Sequence, residues 1–137
     1  MTDHHLTFDV PAVAESLDEV QDRFGVWWES LGIDDVRLRF SLETALAEVA
    51  ANIVEHTRRR DQVTGRRYAV ELCATDDELV AVLTDNGRPA DVDLSAVTMA
   101  DVDEESGRGL ALAIAALDRL EHEHTGGHNV WTLACSR

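Results

Sequence analysis

The chain has 137 residues, of which 45% are hydrophobic and 28% are charged. This composition predicts one globular domain over residues 1–137 with a buried core. Its 27 acidic residues against 12 basic ones give a net charge of -15, which argues against nucleic acid as a direct partner. We find neither an apolar run long enough to span a membrane nor the pattern of a secretory signal. We therefore expect a cytoplasmic protein whose two cysteines are reduced.

The first third of the chain predicts a strand followed by a helix. Residues 6–10 alternate apolar and polar side chains and lead to Pro11, which suits the opening of a helix. Apolar residues then recur at helical spacing over residues 12–31, and Gly32 is suited to end this helix. Trp27 and Trp28 lie within it and indicate either core packing or a dimer contact.

A second helix is predicted to begin near Asp34 or Asp35, whose carboxylates suit a helix N-terminus, with a break near Ser41. Further along, Glu48 and Asn52 are four residues apart among apolar neighbours, so they share one face of the helix. A carboxylate can deprotonate a hydroxyl group, and an amide oxygen can hold Mg2+. The same spacing is also typical of an ordinary polar helix edge.

Two apolar runs, residues 68–74 and 79–83, flank an acidic turn and predict an antiparallel hairpin. The second run leads to Asp85 and Gly87. The carboxylate of Asp85 can accept a hydrogen bond from an exocyclic amine, and Gly87 would let a flat ring approach the backbone. An ordinary Asn-Gly turn would have the same sequence. Residues 58–65, before this hairpin, include three consecutive arginines and indicate either a solvated loop or a phosphate-binding segment.

Residues 88–105 are irregular and acidic, and we expect them to form a long loop or lid. Gly107, Arg108 and Gly109 follow, and an apolar helix begins at Leu110. Glycines at a helix start allow backbone N–H groups to face an anion, and an arginine adds forked donors. This stretch therefore indicates either a phosphate site or a flexible entry into the helix.

In the last segment, residues 120–135, apolar and polar side chains alternate on either side of Gly126 and Gly127. This pattern predicts a second hairpin. His122 and His124 share one face of its first strand. We interpret them as exposed strand residues, with metal binding as the alternative.

Three motifs occur in a fixed order: the acid and amide on a helix, TDNGRPAD after a strand, and ESGRGLALA after a lid. Together they resemble the N, G1 and G2 boxes of the ATP-binding superfamily that includes gyrase and the histidine kinases. Within that superfamily the short chain and the last two motifs look closest to the anti-sigma factor serine/threonine kinases. The resemblance implies an α/β fold, a two-layer sandwich in which a mixed, mostly antiparallel sheet packs against helices.

The resemblance also implies a role for each motif residue. Glu48 would be the general base and Asn52 the ligand of Mg2+. Asp85 would read the amino group of adenine, with Gly87 beside the ring. The phosphates of ATP would be held by the residues that follow the lid: Gly107, Arg108, Gly109 and Leu110.

The chain departs from the broader superfamily at several points. Pro89 stands where the G1 box usually has a second glycine, a variant that resembles the anti-sigma branch. A polar position on the last strand, often threonine in the family, falls on Asn129 or Thr132. The chain has no lysine, which leaves Mg2+, Arg108 and Arg88 to neutralise phosphate charge.

The implied function is that of a serine/threonine protein kinase that binds Mg-ATP and phosphorylates an anti-sigma factor antagonist. It would regulate transcription by partner switching with a sigma factor, without binding nucleic acid or a membrane, and it would pair with a second copy of itself. The alternative is a non-catalytic, ATP-gated module that sequesters a regulatory partner. Glu48 distinguishes these hypotheses, because a general base is needed for phosphoryl transfer but not for binding of ATP.

Overall fold

The computed structural model describes residues 4–57, 65–86, 115 and 117–137. In chain order the elements are β1 (His4–Pro11), α1 (Ser16–Leu31), α2 (Val36–His56), β2 (Arg67–Ala74), β3 (Glu78–Asp85), β4 (Arg119–Thr125) and β5 (His128–Ser136). The strands form one sheet in the order β1-β2-β3-β5-β4. All four pairings between these described strands are antiparallel.

The alternation of side chains along the strands decides which face of the sheet is buried. Every second residue of β2 and β3 is buried, including Leu72 and Leu83, and β5 adds Leu133. Helix α1 packs against β1 and β2, and α2 packs against β3 and β5. The helices therefore cover one face of the sheet, which confirms the expected two-layer α/β sandwich. Neither described helix is long and apolar enough to cross a membrane.

The first helix begins later than the sequence predicts. Pro11 is the last residue of β1, and Ala12 N still donates a hydrogen bond to Arg66 O at 2.9 Å before the chain turns into α1 at Ser16. The prediction that Pro11 opens the helix is wrong because pairing with β2 extends the strand to this residue. Gly32 ends α1 in the left-handed conformation, with φ 67°, as predicted.

The two tryptophans of α1 lie in the core. Trp27 and Trp28 are 3% and 4% exposed, and both rings pack against Phe24, with ring centroids 5.7 and 6.1 Å away. Of the two interpretations of these residues, the structure supports core packing. Such deep burial leaves neither ring available for a dimer contact.

Helix α2 is capped as predicted and is continuous. Asp35 precedes its first residue, and its Oδ1 accepts a hydrogen bond from Leu38 N at 3.0 Å. The predicted break near Ser41 is wrong, because α2 is one helix over Val36–His56 and Leu38, one turn before Leu42, already packs against the core. An apolar stripe holds the helix on the sheet. The stripe recurs every three or four residues and comprises Leu42, Ala45, Leu46, Val49, Ala50, Ile53 and Val54.

Both predicted hairpins are confirmed. Between β2 and β3, Thr75 closes the turn: its N donates to Glu78 O at 2.9 Å, and its Oγ1 accepts from Glu78 N at 3.2 Å. Between β4 and β5, Gly126 and Gly127 have φ 59° and 81°. Two successive positive φ values are typical of the tight two-residue hairpin turn, which fixes the register of the flanking strands.

Candidate functional site

A row of polar side chains crosses one end of the sheet, on the face that the helices cover. Asp85 on β3 is the register partner of Tyr68 on β2 and of Asn129 on β5. Asp85 is 7% exposed and Asn129 is 0% exposed. Apart from Ser16, they are the buried polar side chains among the described residues. Since buried polar groups require hydrogen-bond partners, this row is where the sheet departs from ordinary core packing.

Two hydrogen bonds connect three strands within this row. Asn129 Nδ2 donates to Asp85 Oδ1 at 2.9 Å, and His122 Nε2 lies 3.0 Å from Asn129 Oδ1. A carboxylate only accepts, so the amide nitrogen faces Asp85 and the amide oxygen faces His122. His122 must therefore donate through Nε2. Its ring also packs against Trp131, with ring centroids 4.4 Å apart.

This geometry distinguishes the two candidates for the polar position on the last strand. Asn129 faces the helices and contacts Asp85. Thr132 is three residues further along β5 and pairs with Val82, so its side chain points to the opposite face of the sheet. Asn129 is thus the polar residue of β5 that belongs to the candidate site.

Asp85 is the last residue of β3, at a strand end as predicted. Asn86, the residue after Asp85, is held by Arg66 and by Arg67, the first residue of β2. Arg66 Nη1 donates to Asn86 O at 2.6 Å, and Arg67 N donates to Asn86 Oδ1 at 3.4 Å. These contacts fix the backbone beside Asp85. Arg66 has no motif signal in the sequence, since its role depends on a strand pairing.

Glu48 and Asn52 lie on α2, one helical turn apart, and both are partly buried. Because α2 packs on β3 and β5, they lie on the same side of the sheet as Asp85 and Asn129. Neither side chain makes a hydrogen bond or ion pair with another residue in the described part of the chain. Partly buried polar groups without protein partners are suited to hold a ligand.

A cavity of about 270 Å³ lies between α1 and α2, and Glu48 is one of its lining residues. Its other lining residues are largely apolar and include Val20, Phe24 and Leu46. The volume is below the range of about 300–1,000 Å³ typical of ligand pockets. An apolar cavity of this size is unsuited to a triphosphate, so we place the candidate site on the other side of Glu48, toward Asn52.

The remaining predicted site residues lie outside the described residues: Gly87, Gly107, Arg108, Gly109 and Leu110. The same holds for the expected lid at residues 88–105, for residues 58–64, and for all of the following helix except Ala115 and Leu117. Their proposed roles beside the adenine ring and at the phosphates therefore stay predictions. Within the described ranges, no cluster of three or more His, Cys, Asp or Glu side chains is arranged to hold a metal ion.

Comparison with known protein families identifies the chain. The family described as the histidine kinase-like ATPase domain matches residues 10–134. The chain belongs to this family. Membership implies that this ATPase domain binds ATP, and it confirms the superfamily that the three motifs resemble.

A solved structure shares the fold of the ATPase domain. The crystal structure of the RsbU and RsbW domains of Rv1364c from Mycobacterium tuberculosis matches it with a TM-score of 0.66 and 24% sequence identity. The match covers 97% of this chain and 33% of that chain, so the ATPase domain spans about a third of the length of that protein chain. No curated protein matches the sequence.

Proposed function

We propose that this ATPase domain, a single cytoplasmic domain over residues 1–137, is a serine/threonine protein kinase of the anti-sigma factor type. It phosphorylates an anti-sigma factor antagonist and regulates transcription by switching between that protein and a sigma factor. The observation that carries the proposal is Glu48, a partly buried carboxylate one turn from Asn52 with no partner in the described part of the chain. The RsbW domain in a structure of the same fold supports it.

Asp85 provides the recognition of adenine in this proposal. A carboxylate has two oxygens and about four acceptor sites, so it can accept from Asn129 and from an exocyclic amine together. Guanine presents a carbonyl oxygen where adenine has its amino group, and a buried carboxylate repels that oxygen. The site should therefore select ATP over GTP. Gly87, two residues after Asp85, would leave space for the ring beside the backbone.

Binding of the ATP phosphates would depend on Asn52 of α2 and on the residues that follow the expected lid. Asn52 would hold Mg2+ through its amide oxygen, and the bound ion supplies neutralisation of phosphate charge. Backbone N–H groups of Gly107, Gly109 and Leu110 would face the phosphates, and the Arg108 guanidinium would add a forked cation.

Glu48 would act on the acceptor hydroxyl. Its carboxylate would take the proton from the serine or threonine of the antagonist while that oxygen forms a bond to the γ-phosphorus of ATP. The bond from the γ-phosphorus to the bridging oxygen breaks, and ADP leaves. Most of the acceleration in such transfers comes from positioning and charge stabilisation, with a general base contributing about 10²–10⁴-fold.

The proposal is tested by comparing Glu48→Gln with Asn52→Ala. We expect Asn52→Ala to weaken binding of Mg-ATP by about tenfold or more, because it removes a metal ligand. Glu48→Gln should bind Mg-ATP like the wild type but transfer phosphate at least about a hundredfold more slowly. Calorimetry measures binding, and radiolabelled ATP with candidate antagonist proteins measures transfer.

Glu43→Gln is the matched control, because Glu43 is another partly buried acid of α2 whose partner is Arg39, with Nε to Oε1 at 3.8 Å. It should behave like the wild type. Equal transfer by Glu48→Gln and wild type would show that Glu48 is not the base. Binding of Mg-ATP without any phosphorylated partner would favour the non-catalytic, ATP-gated module, and absence of binding would overturn both functions.

A further inference from the structure

The hydrogen bonds at Asp85 continue through Asn129 to His122 on β4. Asn129 is fully buried and lies between Asp85, 2.9 Å from its Nδ2, and His122, 3.0 Å from its Oδ1. We infer that His122 is a positioning residue for base recognition, acting through Asn129 on the carboxylate of Asp85. This inference rests on the proposed function, in which Asp85 accepts from the amino group of adenine.

His122 supports the orientation of the Asn129 amide that Asp85 requires. The two ends of an asparagine amide have nearly the same shape, so packing alone does not distinguish them. A donor at Nε2 of His122 favours the amide oxygen on its side, and this directs the amide nitrogen toward Asp85. The amide nitrogen then holds the Asp85 carboxylate at Oδ1. Without that donor the buried amide oxygen of Asn129 would lose this hydrogen bond, and the amide would hold the Asp85 carboxylate less firmly.

The fold holds His122 in place by two contacts. The glycine turn sets the register of the last hairpin, so that His124 pairs with Asn129 and His122 pairs with Trp131. His122 then reaches Asn129 along the diagonal of the same sheet face, a distance that a long side chain can span. Its ring lies against the buried Trp131, which is 2% exposed, with an angle of 47° between the ring planes.

The consequence is that selection of the base depends on the donor of His122, acting through Asn129. A 6-aminopurine such as adenine donates to the carboxylate, whereas the 6-oxopurine of inosine triphosphate (ITP) has no amino group there. Loss of the His122 donor should therefore weaken binding of ATP more than binding of ITP. A defect in folding or in the phosphate site would weaken both nucleotides equally.

The experiment measures the Kd of Mg-ATP and of Mg-ITP by calorimetry for the wild type and three variants. His122→Phe keeps an aromatic ring against Trp131 but has no donor, and we expect about five- to tenfold weaker binding of ATP with ITP nearly unchanged. His122→Gln places an amide N–H at a similar reach and should restore the preference for ATP. His124→Phe, on the exposed neighbouring position of the same strand face, should match the wild type.

The outcomes separate this inference from the proposed function. If the wild type binds neither nucleotide, or binds both equally, the role of Asp85 fails and the inference fails with it. If the wild type prefers ATP but His122→Phe keeps that preference, the role of His122 is wrong and the proposed function stands. Equal weakening of both nucleotides, or no rescue by His122→Gln, would also overturn the positioning role.

Discussion

Asp85 is a buried carboxylate at a position where an apolar residue would continue the pattern of the strand. Leu79, Ala81 and Leu83 are the other buried residues of β3, and all of them are apolar. Burying a carboxylate costs free energy unless hydrogen bonds compensate for the lost water. The amide of Asn129 offers part of this compensation. Since the other buried positions of β3 are apolar, we propose recognition of a nucleotide as the reason for a carboxylate here.

Cys135 differs from Asp85 in that burial disfavours its charged form, the reactive thiolate. Burial, and secondly the negative charge of Asp118, raise the pKa of the Cys135 thiol to about 11. The unfolded chain loses this proton first as pH rises, so the contribution to stability is present below about pH 9 and is lost toward pH 11. We expect the free energy of unfolding to fall across this interval.

This decrease is measured by urea unfolding at several pH values. Cys135→Ala should make the decline with pH shallower than in the wild type. Tyr68 contributes to the remaining slope, since burial raises its pKa as well. An identical slope in Cys135→Ala and wild type would contradict the assignment to Cys135.

At the scale of elements, α2 carries both the core of the helical layer and two proposed site residues. Its apolar stripe packs on β3 and β5, and Glu48 and Asn52 follow the same helix on a more exposed side. A helix that packs firmly on the sheet is a rigid support for side chains that must be positioned accurately. The stability of α2 and the geometry of the site are therefore coupled.

The cap of α2 provides a test of this element. Asp35→Ala removes the acceptor for Leu38 N and should lower the free energy of unfolding by about 1 kcal/mol. Asp34→Ala is the matched control, because Asp34 is the neighbouring carboxylate and does not cap the helix; its effect should stay within about 0.5 kcal/mol. Urea unfolding measures both values. Equal losses in the two variants would mean that general charge near the helix start, and not the cap, stabilises α2.

At the scale of the whole molecule, the excess of acid affects stability more than single ion pairs do. The net charge is -15, and such a charge destabilises the compact state through self-repulsion. Ion pairs at the surface, such as Arg23 with Glu19, are about half exposed and contribute little. Repulsion between the many carboxylates should therefore dominate the response to salt.

We accordingly expect added salt to stabilise the protein. Raising sodium chloride from about 0.05 to 0.5 M shortens the screening length to only a few ångströms and should raise Tm by several degrees. Differential scanning calorimetry measures the change, and potassium chloride should give the same result if screening is the cause. A fall in Tm would show that attractive ion pairs outweigh the repulsion.

The sequence predicted most elements of the fold because their signals are local. Alternation identified the two hairpins, and helical spacing identified both helices, including the end of α1 at Gly32 and the start of α2 after Asp35. The errors at Pro11 and Ser41 arose where contacts with the rest of the protein overrode a local preference. Pairing with β2 extended β1, and packing on the sheet kept α2 continuous. His122, expected to be exposed, is partly buried because its ring packs against Trp131.

The sequence by itself determined the order of the three motifs, the identity of Glu48, Asn52 and Asp85, and hence the family. Only the tertiary structure decided that Asn129 hydrogen-bonds to Asp85 and that His122 hydrogen-bonds to Asn129. Asp85 and Asn129 are 44 positions apart in the chain and meet because β5 lies next to β3 in the sheet. Local periodicity shows which face a residue occupies, but it carries no information about which distant strand pairs beside it.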